Sequence, residues 1–445
     1  LIIFEGRKQV VYQNLKNKFQ NSGHLQETRS SNSAIAEFTY TCVAKTLLVV
    51  CLFLLTTKGY SQLLFKLESD SLKVFSYSGG DEFNNASLNT EEWKDCQWPT
   101  INMAQEFIYS SANVKLDDGL VVFAMTKKDT VYRFNPLELD SSFLRKEKIS
   151  LPDQNYLFRY AAGSIISKKK WHYGFYELKF KVEEGKGVWP AFWFFGGNKN
   201  EEIDVFELKG ERNDEIHVDT HCPDGCDRGY KNKLGFNANW GGWLPVSDYL
   251  HNGFNLMQLE WSADGIIWYV NGYPLAWFKG NLPNPMNIYI NTQVAKDGRA
   301  FKPGPDEQTK FPNYFYVDYL RVWNKSEEEI PTLSKQEFRE SDKFVSKFET
   351  KPVRKRGLMF SKKKLNNTGI IQMNYAPDGT LHLRVSGELL YSLSELEIRD
   401  KSGNGVLKNF VKEQTVSLPP GDYELVVKNG KKIYNRKFRI LNYGV

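Results

Sequence analysis

From about residue 75 to 325 the chain is divided into short runs rich in Val, Ile, Phe, Tyr and Trp, separated by Gly, Asn, Asp and Pro. The runs are too brief and too often punctuated for long helices, and no long amphipathic stripe at helical period lies among them. Gly119-Leu-Val-Val-Phe-Ala-Met125, Tyr173-Gly-Phe-Tyr-Glu-Leu-Lys-Phe-Lys-Val182 and Met257-Gln-Leu-Glu-Trp261 read as strands, as do Ile216–His221 and Tyr316–Trp323. Ile266-Ile-Trp-Tyr-Val270 runs into Asn271-Gly272, the pair that best supplies the left-handed φ angles of a two-residue hairpin. Many short strands with regular turn signals predict an all-β sandwich or barrel. The 30 Phe, 23 Tyr and 11 Trp agree with this, because aromatic rings suit a half-buried pleated face and also stack on flat ligands.

At 445 residues the chain is too long for one small module. Charge is unevenly spread along it: residues 331–445 hold 22 Lys+Arg against 12 Asp+Glu, whereas residues 63–330 hold 30 against 38. An acidic central region argues against a nucleic-acid groove, since affinity for phosphate comes from Lys and Arg. Leu47–Leu55 is an unbroken apolar run preceded by Lys45 and followed by Gly59-Tyr-Ser61. It falls well short of the ~20 apolar residues of a membrane span and has the layout of a secretory signal. The expected organisation is therefore an over-extended or disordered N-terminus (1–44), a signal peptide (45–61) cleaved after Ser61, a large β domain (75–325), a basic linker (326–365) and a small β domain (366–445). A secreted or cell-surface monomer without a membrane span is expected. In an oxidising compartment Cys222-Pro-Asp-Gly-Cys226 is a disulfide candidate with its turn built in, favoured over a zinc site, which would want four N/S ligands.

Glu201-Glu-Ile-Asp-Val-Phe-Glu207 sets four carboxylates in a strand-like run. Residues two apart share a strand face, so Glu202 and Asp204 point together, while Glu207 is out of phase by one residue. A one-residue bulge between Asp204 and Glu207 would restore the phase, and bulges re-aim side chains beside active sites. Two glutamates brought to about 5–5.5 Å are what a retaining glycosidase needs. In that chemistry Glu202 is an ionised nucleophile, Glu207 a proton donor of raised pKa, and Asp204 a tuning acid between them. The string by itself also fits a solvated acidic face or a calcium-binding edge.

The surroundings decide between these. Gly185-Lys-Gly187-Val-Trp189-Pro-Ala-Phe-Trp193 precedes the acids, and Asp81-Glu82-Phe83 with Leu88 and Trp93, Tyr173–Glu177, Leu259-Glu-Trp261 and Phe315–Trp323 stand in order around them. Together they resemble glycoside hydrolase family 16 over about residues 75–325, and the six-residue form Glu202–Glu207 is similar to that of laminarinases, agarases and carrageenases. The resemblance implies a jelly-roll β-sandwich of two antiparallel sheets with the acids on a concave face. It assigns the nucleophile to Glu202, the assisting acid to Asp204 and the acid/base to Glu207. It further implies sugar contacts from Trp189, Trp193, His221, Asn291 and Gln293, and a structural Ca²⁺ held by Glu82, the backbone of Gly119, and Asp318. No cofactor is implied for catalysis, since two carboxylates and a water suffice. Val416–Val427 with Lys431–Ile440 resembles the sorting domains of type IX secretion, which implies that secretion machinery as a partner.

The expected function is that of a secreted, retaining endo-glycoside hydrolase acting on a β-glucan, foremost a β-1,3-glucan. The same chemistry on an algal galactan is the first alternative, and sulfated forms of it would call for Lys or Arg in the cleft. A glycan-binding protein without catalysis is the second.

Overall fold

The computed structural model describes residues 62–68, 71–95, 107–133, 155–196, 201–212, 214–222, 240–246, 250–298, 301–327, 330–334, 369–376, 378–387, 393–408 and 413–441. The segment read as N-terminal extension and signal peptide lies outside these residues. The described residues are almost entirely β-strand, with two three-residue 3-10 turns. Among them no helix is long and apolar enough to cross a membrane.

Two antiparallel sheets enclose the main core, as the all-β reading predicts. The inner sheet runs in the order Trp240–Pro245, Glu215–His221, Glu201–Glu207, Val188–Gly196, Met286–Val294, Ser164–Trp171 and Trp93–Asp95. The outer sheet begins Tyr273–Phe278, Gly265–Val270, Asn255–Ser262, Gly174–Val182 and Asn313–Lys325. Alternate residues of both sheets meet between them: Phe192, Phe194, Ile203 and Phe206 from the inner sheet pack with Tyr176, Phe180, Trp261 and Phe315 from the outer. The predicted hairpin is present, Asn271 and Gly272 both taking positive φ between the paired Val270 and Tyr273.

The outer sheet does not stop at the sandwich. Asn313–Lys325 pairs with Leu72–Asp81, which pairs with Gln62–Leu67, and that strand pairs on its other side with Gly369–Tyr375 of the C-terminal region. Thr380–Gly387 and Glu413–Ser417 continue the same sheet. These strands fold back over the outer face: Leu64 and Ile370 pack on Phe75, Phe175, Ile267, Tyr269 and Trp323 in a second apolar layer. Beside it, Lys66 is fully buried against Glu260. Glu177, also fully buried, accepts hydrogen bonds from Gln258 (2.7 Å), Gln372 (2.7 Å) and Tyr319 (2.8 Å). Gly272 at the hairpin tip approaches Ser386 so closely that a Cβ would lie 2.2 Å from its Oγ. A five-stranded sheet, Thr332–Leu333, Lys432–Ile440, Gly421–Asn429, Leu393–Asp400 and Gly405–Leu407, then closes a third core on the far side.

The C-terminal strands therefore do not stand apart from the large β region. One strand beginning at Gln62 is shared by both, and Thr332–Leu333, inside the stretch read as linker, adds to the far sheet. Sequence periodicity shows strands but not which sheet they join, and pairing across some 300 residues has no local signature.

Ile370→Ala empties a site shared by both regions and is expected to cost about 2–5 kcal/mol. The measurement is denaturant unfolding followed by fluorescence and circular dichroism, with one shifted transition for the whole protein as the expected outcome. A chain ended at residue 365 is expected to be insoluble or protease-sensitive, because Phe175, Tyr269 and Trp323 lose their cover.

Candidate active site

The strand Glu201–Glu207 carries the predicted bulge. Against Glu215–His221 its register shifts between Asp204 and Glu207, and against Val188–Gly196 the matching shift falls between Phe192 and Trp193. Val205 and Phe206 both turn into the core and are fully buried. Glu207 thereby returns to the face of Glu202 and Asp204, the face of the inner sheet turned away from the core.

Cross-strand pairs set the side chains in rows on this face. One row holds Phe195, Glu202 and His221; the next Tyr289, Trp193, Asp204 and Asp219; the third Asn291, Ala191, Glu207, His217 and Trp243. Ala191 leaves room opposite Glu207. The extra residue also disturbs the backbone ladder, and Trp268 of the outer sheet, fully buried, reaches through the core to donate to the carbonyl of Asp204 at 2.9 Å.

Each acid has named partners. Glu207 accepts from the indole of Trp189 at 3.1 Å through Oε1 and lies 3.0 Å from Nδ1 of His217 through Oε2. Asp204 lies 3.1 Å from Nε2 of His221, and Glu202 is hydrogen-bonded to Asp204. Burial, reinforced by the carboxylate of Glu202, pushes Glu207 up to about 8. Burial and Asp204 push Glu202 up to about 9, and burial and Glu207 push Asp204 up to about 7. For His221 burial works downward, but the hydrogen bond to Asp204 and the surrounding carboxylates prevail and raise it to about 10. Burial lowers His217 below the ordinary histidine value. Carboxylates this close cannot all be charged, and His221 holds positive charge beside Asp204.

Of the residues assigned to sugar contact, Trp193 keeps partial exposure, stacks on Tyr289 at 4.4 Å and donates to Asn291 at 2.6 Å. Asn291 itself is buried, its amide donating to Tyr109 at 3.0 Å, so it supports Trp193 from below and does not present its amide to a ligand. Trp189 lies flat beneath Phe301, centroids 4.0 Å apart and planes within 4°, so the ring face expected to meet sugar is covered. Gln293 is buried opposite Trp189. His221 is held by Asp204. The sequence placed these residues on the right face but could not show which polar ends were already taken.

The residues expected to hold Ca²⁺ do not fit it. Glu82 is gripped by Arg321 through both oxygens, at 2.7 and 2.8 Å, and fully buried Asp318 lies 2.8 Å from the Lys179 ammonium. Gly119 occupies a hairpin turn at φ +70°. Each carboxylate already faces a protein cation, which leaves no net charge for a hard divalent ion. Cys222 is buried and disulfide-bonded, while Cys226 lies outside the described residues.

Sequence reasoning placed His217 on one face with Asp219 and His221 but did not pair it with Glu207, and it missed Trp268 as the anchor of the bulge and the ring of Trp243 and Phe301 beside His217. Alternation along Ile216–His221 put His217 on the same face as His221 and was the available signal. Trp268 and Phe301 had none, since both come from distant segments.

Residues 101–311 match the family model for glycosyl hydrolases family 16. The glucan endo-1,3-beta-glucosidase A1 of Niallia circulans is 24% identical over 279 residues, which are 55% of this chain and 37% of that protein. The beta-glucanase of Rhodothermus marinus is 25% identical over 190 residues, 37% of this chain and 62% of that protein. The chain thus spans less than two thirds of the length of either relative. A solved structure, the catalytic domain of an endo-1,3-beta-glucanase (laminarinase) from Thermotoga petrophila RKU-1, aligns with a TM-score of 0.46 at 20% identity, covering 57% of this chain and 99% of that one.

Trp268→Phe keeps the packing but leaves the Asp204 carbonyl unpaired, and is expected to cost about 1–3 kcal/mol in denaturant unfolding. Glu207 has a folded value of about 8, above its unfolded one, so the folded state binds the extra proton between the two and stability falls as pH rises through that window. Glu207→Gln removes this slope. Its melting temperature should match wild type at pH 4 and exceed it above pH 8, by an amount corresponding to roughly 1–3 kcal/mol.

Proposed function

We propose that this chain is a retaining endo-acting glycoside hydrolase of family 16 that cleaves internal bonds of a β-glucan, foremost β-1,3-linked. The observation that carries this is the bulge that sets Glu202, Asp204 and Glu207 on one face with indole and imidazole partners on the acids. The family match over residues 101–311 and the glucanase relatives support the same reading.

Glu207, protonated near neutral pH, suits proton delivery to the glycosidic oxygen. Glu202 attacks the anomeric carbon as a carboxylate, the proton that it shares with Asp204 then resting on that hydrogen-bonded neighbour. The glycosyl-enzyme ester is then hydrolysed by a water that Glu207, now a carboxylate, deprotonates. His221 supplies positive charge to Asp204, so transfer of the proton to Asp204 loosens that pair and leaves the anion on Glu202. Tyr289 and Trp193 offer aromatic surface to a pyranose face. No metal or organic cofactor is needed by these steps. We further propose secretion, in keeping with the signal-like segment 45–61.

A second reading, the same chemistry on a sulfated galactan, is favoured by Lys209 at 5.3 Å and Arg212 at 5.9 Å from the Trp243 ring, on the Glu207 side of the site. Arg212 is partly neutralised by Glu215, which keeps the neutral glucan first.

Residues 62–445 incubated with laminarin, mixed-linkage glucan, agarose and κ-carrageenan should release oligosaccharides from laminarin, with none from Glu202→Gln. The nascent reducing ends should be β by proton NMR; α ends would exclude the double displacement. Products from carrageenan alone would retain the mechanism and replace the substrate, and products from none of the four would leave another polysaccharide or a glycan-binding protein, the second favoured by retention on an insoluble glycan.

A further inference from the structure

Both carboxyl oxygens of Glu207 are engaged. Oε1 accepts the Trp189 indole at 3.1 Å, and Oε2 faces Nδ1 of His217 at 3.0 Å. A general acid must carry its proton on one oxygen, and the oxygen that already accepts an N–H is the poorer seat. With the proton on Oε2, Nδ1 can accept that O–H only if the imidazole is neutral and carries its hydrogen on Nε2.

The surroundings hold His217 in this state and this orientation. It stands between Glu207 and Trp243 in cross-strand register. Its ring is 5.1 Å from Trp243 and 5.6 Å from Phe301, whose left-handed φ of +60° is a costly conformation for a residue with a Cβ. The charged groups around it are Glu207 and Lys209 on the neighbouring strand and its continuation, and Asp219 and His221 on its own strand; Arg212 lies over Trp243. Burial pushes the imidazole towards its neutral form and Glu207 towards its protonated one.

Building on the acid/base role proposed above for Glu207, we infer that His217 is a positioning residue for that group, its Nδ1 fixing the transferable proton on Oε2 of Glu207. In the first half-reaction the Oε2–H bond breaks and the proton goes to the glycosidic oxygen as its bond to the anomeric carbon breaks and the Glu202 ester forms. In the second, Glu207 takes a proton from the attacking water while the ester bond breaks, and the hydrogen bond to Nδ1 is remade. His217 gains and loses no proton.

The test compares wild type with His217→Phe, which removes the acceptor, and His217→Gln, which keeps one. Infrared difference spectra against Glu207→Gln read the protonation of the Glu207 carboxyl with pH. Losing the acceptor should lower its midpoint by about one pH unit, with Gln restoring most of it. The alkaline limb of kcat/KM on laminarin should move with it. Formation of the glycosyl-enzyme from a 2,4-dinitrophenyl glycoside of a β-1,3-linked disaccharide, whose leaving group needs no proton, should be unchanged. An unmoved midpoint in folded His217→Phe, or equal losses on both substrates, would overturn the inference. A wild type inactive on both substrates would overturn the β-1,3-glucan assignment instead, and the infrared midpoint would still decide the His217 bond.

Discussion

An extra residue in the strand Glu201–Glu207 returns Glu207 to the side of Glu202 and Asp204, and the indole of Trp268 satisfies the carbonyl of Asp204 at that point. With perfect alternation Glu207 would point into the core, where an acid without partners is costly. With the bulge, Val205 and Phe206 both fill the core and the three acids share one face. The rest of the site follows from register: each acid lies opposite a residue of Val188–Gly196 on one side and of Glu215–His221 on the other. The partners of Glu207 come from both neighbours, so the proton held there depends on two strand pairings being correct together.

That dependence explains the weight of the outer layers. Trp268 lies on a strand whose outer face is covered by Gln62–Leu67 and the C-terminal strands, through Ile267 and Tyr269. Lys66 with Glu260, and Glu177 with Gln258, Gln372 and Tyr319, place charged and polar groups within this cover. Such groups are tolerated inside a protein only when paired, and removing one side of a pair is far more costly than the pair is stabilising. They tie the C-terminal strands to one docking position on the sheet that supports the site.

The alternation of apolar residues, the Asn271-Gly272 turn and the spacing of the acids were legible because each is set by neighbours within a few residues. Even the bulge could be inferred, since Glu207 was out of phase by one. The calcium assignment failed for the opposite reason: Glu82 and Asp318 are ordinary acids in sequence, and their partners Arg321 and Lys179 are identified only by strand pairing. Trp189 had the pattern of a sugar platform, but Phe301 covers it from a segment more than a hundred residues away.

The sequence by itself therefore determined the strands, their faces and the three acids, because side-chain period and turn chemistry are local properties of the backbone. Tertiary structure alone decided which imidazole serves which acid, that the three carboxyls are pushed up together, and that one sheet joins both β regions. Those outcomes depend on distances between segments far apart in the chain, and burial and electrostatic coupling arise only when such segments meet.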